Sequence, residues 1–130
     1  MVRRTLFMFA SIALLAACGS GETLPTAGSI SAGELADRIG AGAAPRVLDV
    51  RTAAEFERGH IPGAINVPHD ALAERLPELG IAPDEEVVVH CQSGKRAAMA
   101  EAVLRDAGYT RVRDLTGHWK LWQETGLPRE

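Results

Sequence analysis

The run Val87-Val88-Val89-His90 constrains the fold of this chain more than any other stretch, because of the residues on its C-terminal side. Three consecutive β-branched apolar residues read as a buried strand. Cys91-Gln92-Ser93-Gly94-Lys95-Arg96 comes next, and then Ala97-Ala98-Met99-Ala100-Glu101-Ala102-Val103-Leu104, helix formers throughout. The chain therefore passes from a buried strand through a tight glycine-containing loop straight into a helix.

The same alternation extends on both sides and predicts an α/β fold, a mainly parallel sheet flanked by helices. Ser31-Ala32-Gly33-Glu34 is a capping box for a helix running to Ile39 and stopped by Gly40. Arg46 to Val50 reads as a strand, and Thr52-Ala53-Ala54-Glu55 as a second capping box, opening a short helix that ends near Gly59. Ala64 to Val67 is a brief strand closed by Pro68, and Ala71 to Leu76 a short helix. The helix after the Cys91 loop spans Ala97 to Ala107, with Gly108 just past its end. Val112 to Leu115 is the last strand, and His118 to Glu124 the last helix, ended by Gly126. In sheets of this kind ligands bind beyond the carboxyl ends of the strands, which is where Cys91 lies.

Cys91 is the candidate catalytic residue. A loop entering a helix turns successive backbone N–H groups toward one point, where the positive end of the helix dipole adds to them. Lys95 and Arg96 contribute two cations, and the whole setting favours the thiolate, the nucleophilic form of cysteine. Gly94 permits positive φ and close backbone approach. The amides from Gln92 onward and the Ser93 hydroxyl are candidate donors to a bound sulfur. Arg96 offers a planar fork to an anion, and Lys95 a point charge.

Other polar residues read as supporting. Asp49 ends the strand expected beside the Cys91 strand and tethers turn amides. Arg51 reads as an ion-pair partner of Glu55 across the capped first turn. His60, before Ile61-Pro62-Gly63, fixes a turn, and His90 points to the sheet face opposite Cys91. Trp119 and Trp122 lie three apart on one side of a helix and read as core. The histidines are too scattered for a metal site, and no cofactor is expected.

The N-terminus carries a separate signal. Arg3 and Arg4 precede the apolar stretch Leu6 to Ala17, which is the layout of a secretory signal peptide over residues 1–17. That stretch is shorter than the roughly 20 apolar residues a membrane-spanning helix needs. Leu15-Ala16-Ala17-Cys18 resembles the lipobox of bacterial lipoproteins, which implies lipidation at Cys18, export to the periplasm and a membrane anchor, with Gly19 favouring the outer membrane. Residues 18–28 read as a flexible tether and residues 29–130 as the folded domain. Removal of residues 1–17 takes away two of 14 basic residues and none of 17 acidic ones, leaving a formal charge of −5. There is no basic surplus for nucleic acid. With Cys18 acylated, Cys91 has no partner for an intramolecular disulfide, as befits a reactive thiol.

From about Ile30 to Pro128 the chain resembles a single rhodanese (sulfurtransferase) domain. Leu48-Asp49-Val50-Arg51, Glu55-Phe56 and Gly59 to Pro68 are similar to that family's first signature, and Cys91 to Arg96 to its active-site loop. Leu115-Thr116-Gly117, Trp119 and Gly126-Leu127-Pro128 are similar to its C-terminal signature, with Thr116 where two consecutive glycines are common. The resemblance implies a cysteine that takes a sulfane sulfur from a small anionic donor such as thiosulfate, holds it as a persulfide, and passes it to a thiophilic acceptor. Two rival readings differ in class. A related cysteine phosphatase needs five residues between Cys and Arg to wrap a phosphate, whereas four separate Cys91 from Arg96 and the next position is Ala97. A non-catalytic docking module usually lacks the cysteine.

Overall fold

The computed structural model describes residues 27–130. The signal peptide read at residues 1–17, Cys18 and the tether as far as Thr26 lie outside the described residues. The elements run β1 (Ala27–Ile30), α1 (Ala32–Gly40), β2 (Arg46–Asp49), α2 (Ala53–Glu57), β3 (Ile65–Asn66), α3 (Leu72–Arg75), a 3-10 turn (Leu76–Leu79), β4 (Val87–His90), α4 (Lys95–Asp106), β5 (Val112–Leu115) and α5 (His118–Glu124).

The five strands form one sheet in the order β1-β5-β4-β2-β3, and every neighbouring pair is parallel. β4 sits at its centre, and successive side chains point to opposite faces. Val87, Val89 and Cys91 join one core with Leu72, Ala100 and Leu104, while Val88 joins a second with Leu35, Trp119 and Trp122. An apolar run without alternation is what a strand covered on both faces requires. Both tryptophans are core, as expected from their spacing.

Local chemistry sets the helix starts. Ser31 Oγ accepts from the Glu34 N–H at 3.1 Å and Thr52 Oγ1 from the Glu55 N–H at 3.2 Å, so both helices are N-capped as expected, while the return bond of a capping box, from the cap N–H to the Glu carboxylate, forms at neither. α4 begins at Lys95, two residues before the expected start, which places both loop cations in its first turn. The sequence pattern predicts no strand before Ser31, and β1 starts inside the stretch expected to be tether. Gly28 and Ser29 are exposed, so β1 shows no buried alternation; what holds it is edge pairing to β5, in register from Ala27 with Val112 to Ile30 with Leu115.

Candidate active site

β4 ends at His90 and α4 opens at Lys95, leaving four residues, Cys91 to Gly94, to make the turn. Gly94 takes φ 121°, and its N–H donates to Cys91 Sγ at 3.0 Å. Among the described residues this is the hydrogen bond that reaches the sulfur; the Ser93 side chain is exposed and makes none. Cys91 itself is only 1% exposed. No side chain caps the α4 N-terminus, so its first-turn amides keep their bonding capacity toward the loop.

The start of α5 grips the same loop. The Trp119 N–H donates to Cys91 O at 3.0 Å and the Lys120 N–H to Gln92 O at 3.2 Å. The Cys91 N–H donates to His118 Nδ1 at 3.3 Å. Sequence reasoning gives His118 no role beyond starting the helix. The signal that marks it is the pair Gly117-His118 directly after β5: both take positive φ, and His118, at 52°, is the one non-glycine to do so among the described residues. Thr116, where a glycine is common, does not need that conformation, and its N–H donates to Ile30 O at 2.9 Å.

The cations depart from expectation. The sequence predicts an open fork at Arg96, yet Nη1 and Nη2 donate to Glu55 Oε1 and Oε2 at 2.8 and 3.0 Å. The Arg96 guanidinium holds the Glu55 carboxyl below its ordinary range. Glu55, and more weakly Cys91 and Asp49, hold Arg96 above its own. Lys95 is exposed and forms no ion pair among the described residues. Beside the loop, Arg51, Glu55, Arg58, Gln92, Trp119 and Gln123 line a cavity of about 180 Å³. A larger groove of about 380 Å³ around Tyr109 carries no nucleophile or charge in its lining.

The expected Arg51–Glu55 pair does not form. Arg51 turns inward and clasps Asp49, with Nε 2.9 Å from Oδ1 and Nη2 2.6 Å from Oδ2. Nη2 also donates to Gly59 O at 2.9 Å, and the guanidinium lies 4.7 Å from the centre of a Trp119 ring. Asp49 is completely buried and accepts the Arg51 N–H as well, which is the tethering expected of it. A carboxylate this deep needs a countercharge, and Arg51 supplies it in place of pairing with the partly exposed Glu55. Asn66, not singled out from the sequence, ties the two strand ends by donating to the carbonyls of Asp49 and Arg51, each at 3.0 Å. His90 packs against this pair, its Nε2 3.7 Å from Asp49 Oδ2, on the face away from Cys91. Burial pushes the His90 imidazole down to about 4, so it is neutral in the ordinary pH range. His60 fixes its turn through Nδ1, 3.0 Å from Phe56 O.

A parallel sheet with a cysteine loop at the carboxyl end of its central strand can be compared with known families. The model of the rhodanese-like domain matches residues 31–125. The chain belongs to the rhodanese-like domain family. This rhodanese-like domain is 39% identical to thiosulfate sulfurtransferase 16 of Arabidopsis thaliana, a chloroplastic protein, across 64% of the present chain and 78% of the relative. It is 36% identical to a thiosulfate sulfurtransferase of Pseudomonas aeruginosa over 68% of the chain, a match that spans 40% of that longer protein. Among solved structures it is similar to the Alr3790 protein from Anabaena sp., with a TM-score of 0.72 and 29% identity across 78% of this chain and 81% of that one.

Proposed function

We propose that this rhodanese-like domain is a sulfurtransferase that carries sulfur on Cys91, with thiosulfate as a donor. The observation that carries the reading is the Gly94 N–H on Cys91 Sγ, at the mouth of an uncapped helix. In the first step the Cys91 thiolate attacks the outer sulfur of thiosulfate. The donor's S–S bond breaks, its electron pair leaves with sulfite, and Cys91 keeps the sulfur as a persulfide anion. In the second step a thiophilic nucleophile, cyanide in the assay, attacks the terminal persulfide sulfur. The electron pair of the breaking bond returns to Cys91, which is regenerated as thiolate. No metal or cofactor enters either step.

The loop residues divide the work. Gly94 and the α4 amides stabilise sulfur-borne negative charge, since preorganised donors aimed at developing charge are worth most where water is excluded. Gln92 lines the cavity beside the loop, where the donor would bind. Lys95 and Arg96 supply positive potential for an anionic donor, and Ser93 stands at the exposed rim. Asp49 and Arg51 support the floor. The relatives named as thiosulfate sulfurtransferases favour this chemistry. The test is mass spectrometry of the protein after thiosulfate. One added sulfur atom on Cys91, absent in Cys91→Ser along with thiocyanate formation, is the expected result. Unchanged thiocyanate formation in that variant sinks the persulfide route.

We further infer that the chain is exported and lipid-anchored through Cys18, which rests on the lipobox-like Leu15-Ala16-Ala17-Cys18. Fatty-acid labelling in a bacterial host should mark the wild type and not Cys18→Ser. Unlabelled, wholly soluble wild-type protein overturns the anchor.

A further inference from the structure

His118 lies 27 residues beyond Cys91 in sequence and touches the active loop at both of its ends. At one end the Cys91 N–H donates to Nδ1 at 3.3 Å. At the other, a Cβ built on Gly94 would stand 2.9 Å from Nε2, so the ring occupies the space over Gly94, whose own N–H holds the sulfur. Nε2 lies 3.4 Å from Asp114 Oδ1 on β5. The His118 side chain is only 8% exposed.

These contacts assign the tautomer from the hydrogen-bond network: Nδ1 must present a lone pair to an N–H, so the proton sits on Nε2, facing the carboxylate. We propose that His118 is a positioning residue, a neutral imidazole whose Nδ1 and Nε2 ends together hold the loop in the shape that aims the Gly94 amide at the Cys91 sulfur. A positive φ at a non-glycine residue is uncommon and persists only where the surroundings enforce it. Here it brings the ring back over the loop instead of out along α5.

Protonation undoes the arrangement. An imidazolium carries a hydrogen on Nδ1, which would face the hydrogen of the Cys91 amide. The groups around the ring are Cys91 and His90 from β4 and its loop, Asp114 from β5, and Glu101 of α4 behind Asp114. Burial holds His118 below its ordinary value against the opposing pull of Asp114, which keeps the acceptor available at neutral pH.

The kinetic arm of the test rests on the sulfurtransferase reading; a second arm does not. His118→Asn places an amide oxygen close to the Nδ1 position and tolerates positive φ, whereas His118→Gln reaches toward the Nε2 position instead. Cys91 alkylation by neutral iodoacetamide and kcat/KM for thiosulfate are measured against pH, at a temperature where both variants are folded by circular dichroism. His118→Gln should lose about tenfold in each rate, and His118→Asn should stay within about threefold of wild type. On the acid side the wild-type alkylation rate should fall more steeply than that of His118→Asn, because the imidazole takes up a proton in the first and is absent from the second. Identical pH profiles for wild type and His118→Asn, or wild-type rates in His118→Gln, overturn the assignment. Absent sulfur transfer alongside the expected alkylation contrast rejects the sulfurtransferase reading and upholds the role of His118.

Discussion

Arg96 and Glu55 close on each other as a bidentate ion pair, with N–O distances of 2.8 and 3.0 Å, between the first turn of α4 and helix α2. Both side chains are about a quarter exposed. The Arg96 fork is thus already occupied by a carboxylate. An anionic sulfur donor that uses Arg96 must share it with Glu55 or displace it.

That competition predicts opposite effects for the two partners. Glu55→Gln should lower KM for thiosulfate severalfold, since the pair contributes on the order of 1 kcal/mol and no longer opposes the donor. Arg96→Ala should raise KM, and more than Lys95→Ala does, because a directed fork is lost in place of a mobile charge. Donor titrations at low and high ionic strength check both, the contrast shrinking as salt screens the site. An unchanged KM in Glu55→Gln means the donor never engages Arg96.

Gly94→Ala should destabilise the fold by about 1–3 kcal/mol from backbone strain, before the clash with His118 is counted. The new methyl would meet His118 Nε2 at 2.9 Å while φ stays at 121°. Urea unfolding measures this, and a midpoint equal to that of wild type would mean that the loop can relax away from α5.

Asp49→Ala strands a guanidinium that is 2% exposed, at an expected cost of about 3–5 kcal/mol. Replacing both partners, as in Asp49→Leu with Arg51→Met, should cost far less, because no charge is then left buried. Denaturant midpoints of the three proteins decide the matter. Equal losses in the single and double variants would assign the effect to packing and not to charge.

Stability should pass through a maximum as pH changes. Glu101 is held up at about 8 by burial and by the facing Asp114, against an ordinary 4.5. Between these values the native state keeps a proton that the unfolded chain has lost, so this contribution is lost as pH rises through about 8. His90 works the other way: folded at about 4 and unfolded at 6.5, it removes stability as pH falls between them. Glu101→Gln should therefore stabilise the protein by on the order of 1–3 kcal/mol at pH above about 8, and have little effect near pH 5. Thermal melts across this range show it, and an equal shift at both ends would remove titration as the cause.

Sequence alone determined the features that rest on local chemistry. The N-caps at Ser31 and Thr52, the apolar core of β4 and the glycine-containing turn before α4 each depend on residues a few positions apart, and so does the placing of Cys91 at the helix mouth. The short edge strand β1 is illegible there because its stability comes from pairing with β5, 85 residues away, and not from any pattern of its own. The tertiary structure alone decided which charges meet. Arg51 had a carboxylate at two residues and another at four, and burial of Asp49 chose the first. That choice released Glu55 to Arg96, 41 residues on. His118 reaches the Cys91 amide only because β5 returns beside β4 and a positive φ folds the ring back. Desolvation and long-range proximity are properties of the packed chain, and no spacing along the sequence encodes them.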